Sequence, residues 1–111
     1  MTSREERIAR NEALFREVNE RIKQVHADAG ELGSGDTFAV LCECGDQNCV
    51  EEVQLTAREY EQTRADPRQF VIVPGHSVPD VEEIVGGGEG FEVVRKHVEE
   101  AEIVERTDQR A

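Results

Sequence analysis

The sequence predicts an α+β fold in which a long N-terminal amphipathic helix precedes a small, mostly antiparallel zinc-stapled β-sheet domain with one short helix. Three observations predict it. Apolar residues recur at helical spacing before Gly30, whereas later apolar residues form short runs between glycine, proline and asparagine turns. All three cysteines lie within eight residues, at Cys42, Cys44 and Cys49. A chain of 111 residues fits one hydrophobic core.

The N-terminal helix is predicted over residues 3–28, within an N-terminal segment of residues 1–30. Ser3 and Glu6 have capping-box spacing, and Gly30 is a natural stop. The helix would present one apolar stripe, made of Ile8, Phe15, Val18, Ile22 and Val25. This stripe is expected to pack on the rest of the domain, with a second copy or a partner helix as the other candidate.

A glycine-serine linker, ELGSGD, separates this helix from a predicted domain of residues 36–98. The segment TFAVLCEC reads as a strand, and its alternation puts Cys42 and Cys44 on one face. The turn GDQN would return the chain into a second strand that carries Cys49. The predicted hairpin therefore has thiols at its tip.

The rest of this domain is predicted to contain a short helix and further strands. TAREYEQTRADP forms the helix, opened by the capping pair Thr56 and Glu59 and ended before Pro67. FVIV is short and apolar enough for a buried strand, and GGGEG is expected to be the turn between two more strands. Residues 99–111 are expected to form a short helix or a frayed acidic tail.

Composition narrows the classes of partner. The chain has 13 Lys plus Arg against 25 Asp plus Glu, a formal charge of −12 that repels nucleic-acid phosphates and anionic lipids. Nucleic acid and membranes are therefore not expected as partners. The absence of an apolar run long enough for a signal peptide or a membrane span indicates a cytoplasmic protein. In a reducing compartment, three thiols favour a metal site over a disulfide.

Zinc fits the predicted geometry, because it binds thiolates in a tetrahedron and three sulfurs would already be local. The preferred fourth ligand is His76, since the turn Pro74-Gly75-His76 holds its backbone rigidly after a buried strand. Glu51 and Asp46 are alternative ligands, and His26 and His97 are expected to be surface residues. A site filled by three cysteines and one histidine would be structural, because catalytic zinc keeps one position open for water.

Three other chemistries remain open for the same thiols. An iron–sulfur cluster needs more cysteines than the chain provides. A redox pair of Cys42 and Cys44 lacks the C-x-x-C spacing at a helix start. A nucleophilic Cys49 could use His76 as its base, although no oxyanion-hole motif accompanies it.

The segments NEALFREVNERI, CECGDQNC and VPGHSVP resemble those of a group of small acidic bacterial proteins of actinobacterial type. That group shares an N-E-x-x-F-R-E-x-N-E helix, a C-E-C-G-x-x-x-C segment and a P-G-H loop. The resemblance spans most of residues 11–97, and it implies that Cys42, Cys44, Cys49 and His76 belong to one site. It implies a domain type and no activity.

The function expected from the sequence is that of a small non-enzymatic zinc protein, acting in the cytoplasm through contacts with an unidentified protein partner. A homodimer through the N-terminal helix is one form of such contact. The alternative is a redox regulator or small thiol enzyme that uses Cys49 or the Cys42–Cys44 pair.

Overall fold

The computed structural model describes residues 4–33, 35–46, 48–97 and 105. The described chain is α+β, as predicted, with a long first helix, one short helix and two antiparallel sheets. In chain order the elements are α1 (Arg4–Asp28), β1 (Thr37–Leu41), β2 (Glu52–Thr56), α2 (Ala57–Arg64), β3 (Gln69–Ile72), β4 (Glu82–Gly88) and β5 (Phe91–Lys96).

The strands form two sheets where one was expected. The first pairs β1 with β2, and the second has the order β3-β5-β4. Val40 lies opposite Val53 in the first sheet, and Val71 lies opposite Val93 in the second. Both registers put apolar side chains together on the inner faces.

Strand β3 is buried on both of its faces, and this explains its unbroken apolar run. Val71 belongs to a core cluster between the two sheets, together with Phe38, Val40, Val53, Leu55, Tyr60, Phe91 and Val93. Phe70 and Ile72 point the other way, into a second cluster completed by Ala9, Cys42, Cys44 and Val94. Two cysteines are thus part of the core that lies beneath the N-terminal half of α1.

Helix α1 buries a face that the sequence did not indicate. Glu12, Arg16 and Asn19 are wholly buried, with Ala9 and Ala13 beside them, whereas Val18 and Val25 of the predicted apolar stripe are exposed. Ile22 does pack against the first cluster. The helix therefore docks mainly through polar side chains, and these find partners in other elements.

The first of these partners are buried charges. Lys96 at the end of β5 forms ion pairs with Glu12 and, at 3.0 Å, with Glu82 of β4. The Arg16 guanidinium lies 4.7 Å from the Phe70 ring centroid and donates to the Pro67 carbonyl. These contacts tie α1 to one end of the second sheet, where β3 and β4 begin and β5 ends.

Two predictions about strands are corrected by the structure. Strand β1 ends at Leu41 and β2 begins at Glu52, so the cysteines lie in the connecting loop and not on the strands. Gly86 to Gly88 belong to β4, and the turn is made by Glu89 and Gly90. A Cβ at Gly88 would lie 2.6 Å from the Phe91 ring, so glycine is required there by close packing.

The short helix α2 is confirmed with its cap. The Thr56 hydroxyl accepts from the Glu59 N–H, and the Glu59 carboxylate accepts from the Thr56 N–H. Tyr60 of this helix is buried. Apart from Glu105, the predicted C-terminal segment 99–111 lies outside the described residues. No helix in the described part of the chain is long and apolar enough to cross a bilayer.

Candidate metal centre

Two loops bring the cysteines and His76 together. The β1–β2 loop carries Cys42, Cys44 and Cys49, and it reverses at Gly45, which has a φ of +78°. The loop after β3 carries His76, whose N–H donates to the Val73 carbonyl at 3.0 Å, next to Gly75 with a φ of +91°. Both reversals use glycine in the left-handed region, where other residues are strained.

The four side chains converge on one point. Their ligand atoms all lie within 4.8 Å of one another, and this Cys3His cluster could hold a metal ion. The His76 Nδ1 atom is 3.5 Å from the Cys42 Sγ and 3.7 Å from the Cys49 Sγ. Sulfur and nitrogen ligands of one tetrahedral zinc ion lie about 3.5 Å apart, given bond lengths of about 2.3 and 2.0 Å. The two distances therefore match those expected around a shared ion.

Each sulfur also receives a backbone N–H. The Val73 N–H donates to the Cys42 Sγ at 3.2 Å. Similar bonds from the Asp46 and Glu51 backbones reach Cys44 and Cys49. Such donors stabilise negative charge on sulfur, and thiolate is the form that binds metal.

The pKa values of the three thiols are shifted in different directions. The hydrogen bond with Cys42 is the main reason why the pKa of Cys44 falls to about 5. That same contact and burial raise the pKa of Cys42, and burial is the main cause of the raised pKa of Cys49. The cluster therefore favours one thiolate, on a sulfur that is itself buried.

Glu51 lies behind His76 instead of inside the cluster. Its Oε2 atom is 3.0 Å from the Nε2 atom of His76, while the Nδ1 atom faces the sulfurs. A carboxylate in this position fixes the ring and favours the tautomer whose Nδ1 is free to bind a metal. The sequence predicted Glu51 as an alternative ligand. In the structure it contacts the ring of His76 instead of the sulfurs.

The remaining polar candidates lie elsewhere. The Asp46 Oδ1 atom accepts from the Asn48 N–H, as a local turn. His26 packs on Phe38 and lies 2.8 Å from Glu31. The His97 N–H donates to the Val81 carbonyl. None of the three belongs to the cluster found among the described residues.

Sequence reasoning missed the residue between the two buried cysteines. The buried Glu43 carboxylate accepts from the Val71 N–H at 2.9 Å and from the Asn19 side chain at 2.7 Å. Burial raises the pKa of Glu43 to about 7, against the effect of these donors. Asn19 also brackets Leu41, donating to its carbonyl and accepting from its N–H at 2.9 and 2.8 Å. We call Asn19 and Glu43 the clasp, because together they join α1, the cysteine loop and β3.

A second contact joins α1 directly to the cysteine loop. The Asn11 side chain donates to the Gly45 carbonyl at 3.1 Å. A Cβ at Gly45 would lie 2.7 Å from the Ile8 Cγ2 atom and 3.2 Å from the Glu12 Cγ atom. Asn11, Glu12 and Asn19 all lie on α1. Their spacing was the available sequence signal for the contacts of this helix with Glu43 and Gly45, although the three side chains are polar.

Comparison with known proteins adds no assignment. No protein-family model, curated protein or solved structure matches the chain. A function is therefore inferred from the geometry of the cluster.

Proposed function

We propose that the chain is a small, non-enzymatic zinc-binding protein of the cytoplasm that acts through protein contacts. Cys42, Cys44, Cys49 and His76 would hold one Zn²⁺ ion as a structural site. The main support for this proposal is that four side chains of the types that bind zinc converge, at distances that fit a tetrahedral site. The backbone N–H bonds to the sulfurs and the Glu51 carboxylate behind His76 support it.

A structural role is favoured because the protein supplies all four ligands. A catalytic zinc ion keeps a position for water or substrate. The ion would connect the β1–β2 loop with the loop after β3, and both loops lie against the core cluster that contains Ala9 of α1. Zinc would thus stabilise the docking of α1 as well as the loops.

The alternative is a thiol enzyme or redox regulator. The most exposed thiol, Cys49, has a raised pKa, which is unfavourable for a nucleophile. The thiol with the lowered pKa, Cys44, is buried. These properties support the structural proposal over a nucleophilic site.

The test measures metal and thiol reactivity on untagged protein purified without chelators. We expect about one zinc ion per chain by elemental analysis, and release of that zinc as a mercurial caps the thiols. His76→Ala should weaken zinc binding strongly, whereas the matched change His97→Ala should not. Protein free of metal with one fast-reacting cysteine would contradict the proposal and favour the thiol enzyme.

A further inference from the structure

The outward face of α1 has an apolar and charged pattern that no described element covers. Leu14, Val18 and Val25 are 55%, 37% and 67% exposed, on the side of the helix opposite the buried Glu12, Arg16 and Asn19. They belong to a seam with alternating steps of three and four residues, in the order Arg7, Asn11, Leu14, Val18, Arg21, Val25 and Asp28. Asn11 lies at the edge of this seam, because its side chain donates to the Gly45 carbonyl. This is the spacing at which two helices pack side by side.

Charge is distributed along this seam with a direction. Its N-terminal half carries Arg7 and the flanking Arg10, whereas its C-terminal end carries Asp28 and is followed by Glu31. All four side chains belong to exposed residues. The Asp28 carboxylate accepts an exposed hydrogen bond from the Gln24 side chain, at 2.7 Å.

The direction of this charge distinguishes two ways of pairing the helix with a copy of itself. Parallel pairing places arginine beside arginine and aspartate beside aspartate. Antiparallel pairing centred between residues 19 and 20 places Leu14 opposite Val25, Val18 beside Arg21, and Arg10 beside Asp28 of the other copy. Both arrangements bring apolar positions together, but only the antiparallel arrangement places opposite charges beside each other at both ends.

A copy of the chain also meets little repulsion at this face. Residues 4–28 contain six basic and six acidic residues, so the formal charge of −12 is carried by the rest of the sequence. Two copies therefore approach most easily where the local charge is balanced.

We propose that two copies associate through this seam, antiparallel, with the two-fold axis crossing α1 near residues 19 and 20. This dimer rests on the proposed function, in which the chain acts through protein contacts. It names a second copy of the chain as one partner. Few apolar side chains are available, so the association should be weak and concentration-dependent.

The test uses charge reversal at Arg10 and Asp28 and follows mass by sedimentation equilibrium across a range of concentrations. In Arg10→Glu, each copy meets the partner's Asp28 with like charge, twice per dimer. In Asp28→Arg, the same happens with two arginines. Each variant alone should dissociate about tenfold more readily than the wild type, and an equal mixture should recover wild-type association.

Two controls identify the surface and the fold. Arg58→Glu makes the same charge change on α2 and should leave association unchanged. Circular dichroism of each variant should match the wild type, because the reversed side chains are exposed.

Zinc content is measured on the same samples. A zinc-loaded protein that stays monomeric at every concentration would overturn the dimer and leave the metal site standing. Such a monomer would leave the seam to a different protein. Association without bound zinc would contradict the metal site alone. The antiparallel pairing would also be overturned if neither charge reversal weakened association. The same holds if the equal mixture associated no more strongly than either variant alone.

Discussion

Glu51 lies behind His76 and outside the Cys3His cluster of the proposed metal site. Its carboxylate holds the far nitrogen of His76, so its removal should loosen the ring while all four ligands remain. We expect Glu51→Gln to weaken zinc binding by about tenfold, measured by competition with a chromophoric chelator.

Glu52→Gln is the matched control, because it changes the same charge one residue along, on an exposed strand position. The two variants should differ in zinc affinity. Equal affinities would show that the carboxylate has no influence on His76.

Gly45 of the cysteine loop packs closely against α1. Alanine there meets two penalties, a left-handed φ and a Cβ lying 2.7 Å from the Ile8 side chain. We expect Gly45→Ala to reduce the free energy of unfolding by about 2–4 kcal/mol in urea denaturation.

Gly35→Ala separates the two penalties, since Gly35 has a φ of +83° but nothing within 4 Å of a Cβ. It should cost only about 1–2 kcal/mol. If the two variants lose the same free energy of unfolding, close contact between Gly45 and α1 makes no contribution to the loss.

Helix α1 shows which structural features its sequence pattern could predict. Its C-terminal end and its Gly30 stop follow from spacing and glycine chemistry, whereas the predicted cap at Ser3 lies outside the described residues. Its buried face does not, because Glu12, Arg16 and Asn19 become core residues only through partners far away in the chain. Hydrophobic periodicity therefore selected the wrong side for Val18 and Val25.

The clasp should carry much of the docking of α1. Asn19→Ala removes two bonds to Leu41 and one to Glu43, and it leaves a buried carboxylate with fewer donors. We expect a loss of about 3 kcal/mol in the free energy of unfolding. Gln24→Ala, which removes one exposed bond of the same helix, should stay within about 0.5 kcal/mol of the wild type. A similar small effect for both would mean that the clasp contributes nothing.

Glu12 gives α1 a pH dependence. Burial raises its pKa well above 4.5 and the Glu82 carboxylate adds to this, although Lys96 lowers it. An acid with a raised folded-state pKa contributes stability below its unfolded pKa and loses it as the pH rises through the folded pKa. Glu12→Gln cannot ionise, so its stability relative to the wild type should improve as the pH rises above about 4.5.

The measurement is urea unfolding of zinc-loaded wild type and Glu12→Gln at several pH values. Both proteins share the same cysteines, so the pH dependence of the metal site cancels in the difference. A difference that does not change with pH would contradict the raised pKa.

For the whole molecule, the metal centre should control global stability. The cysteine loop belongs to the second core cluster and touches α1, so loss of zinc should loosen more than two loops. We expect chelation to lower Tm by at least about 20 °C, since structural zinc contributes several kcal/mol to folding. Zinc should restore the transition and magnesium should not. An unchanged Tm in metal-free protein would contradict a structural role.

The overall class and the members of the site could be predicted because they depend on local chemistry. Turn residues, strand-length apolar runs and three adjacent thiols are visible in short windows of sequence. The division into two sheets and the role of Glu43 depend on long-range pairing, such as Glu43 with Val71. Such pairing leaves no periodic signal in a single sequence.

The ion pair between Glu12 and Lys96 also sets an order of events during synthesis. The α1 segment leaves the ribosome before β5, which carries its buried lysine partner. The four residues of the metal centre are all made before Lys96. A nascent chain can therefore close the proposed metal site while α1 still lacks its contact with Lys96, so α1 is made before β5 but is fixed in place only after β5 has been made.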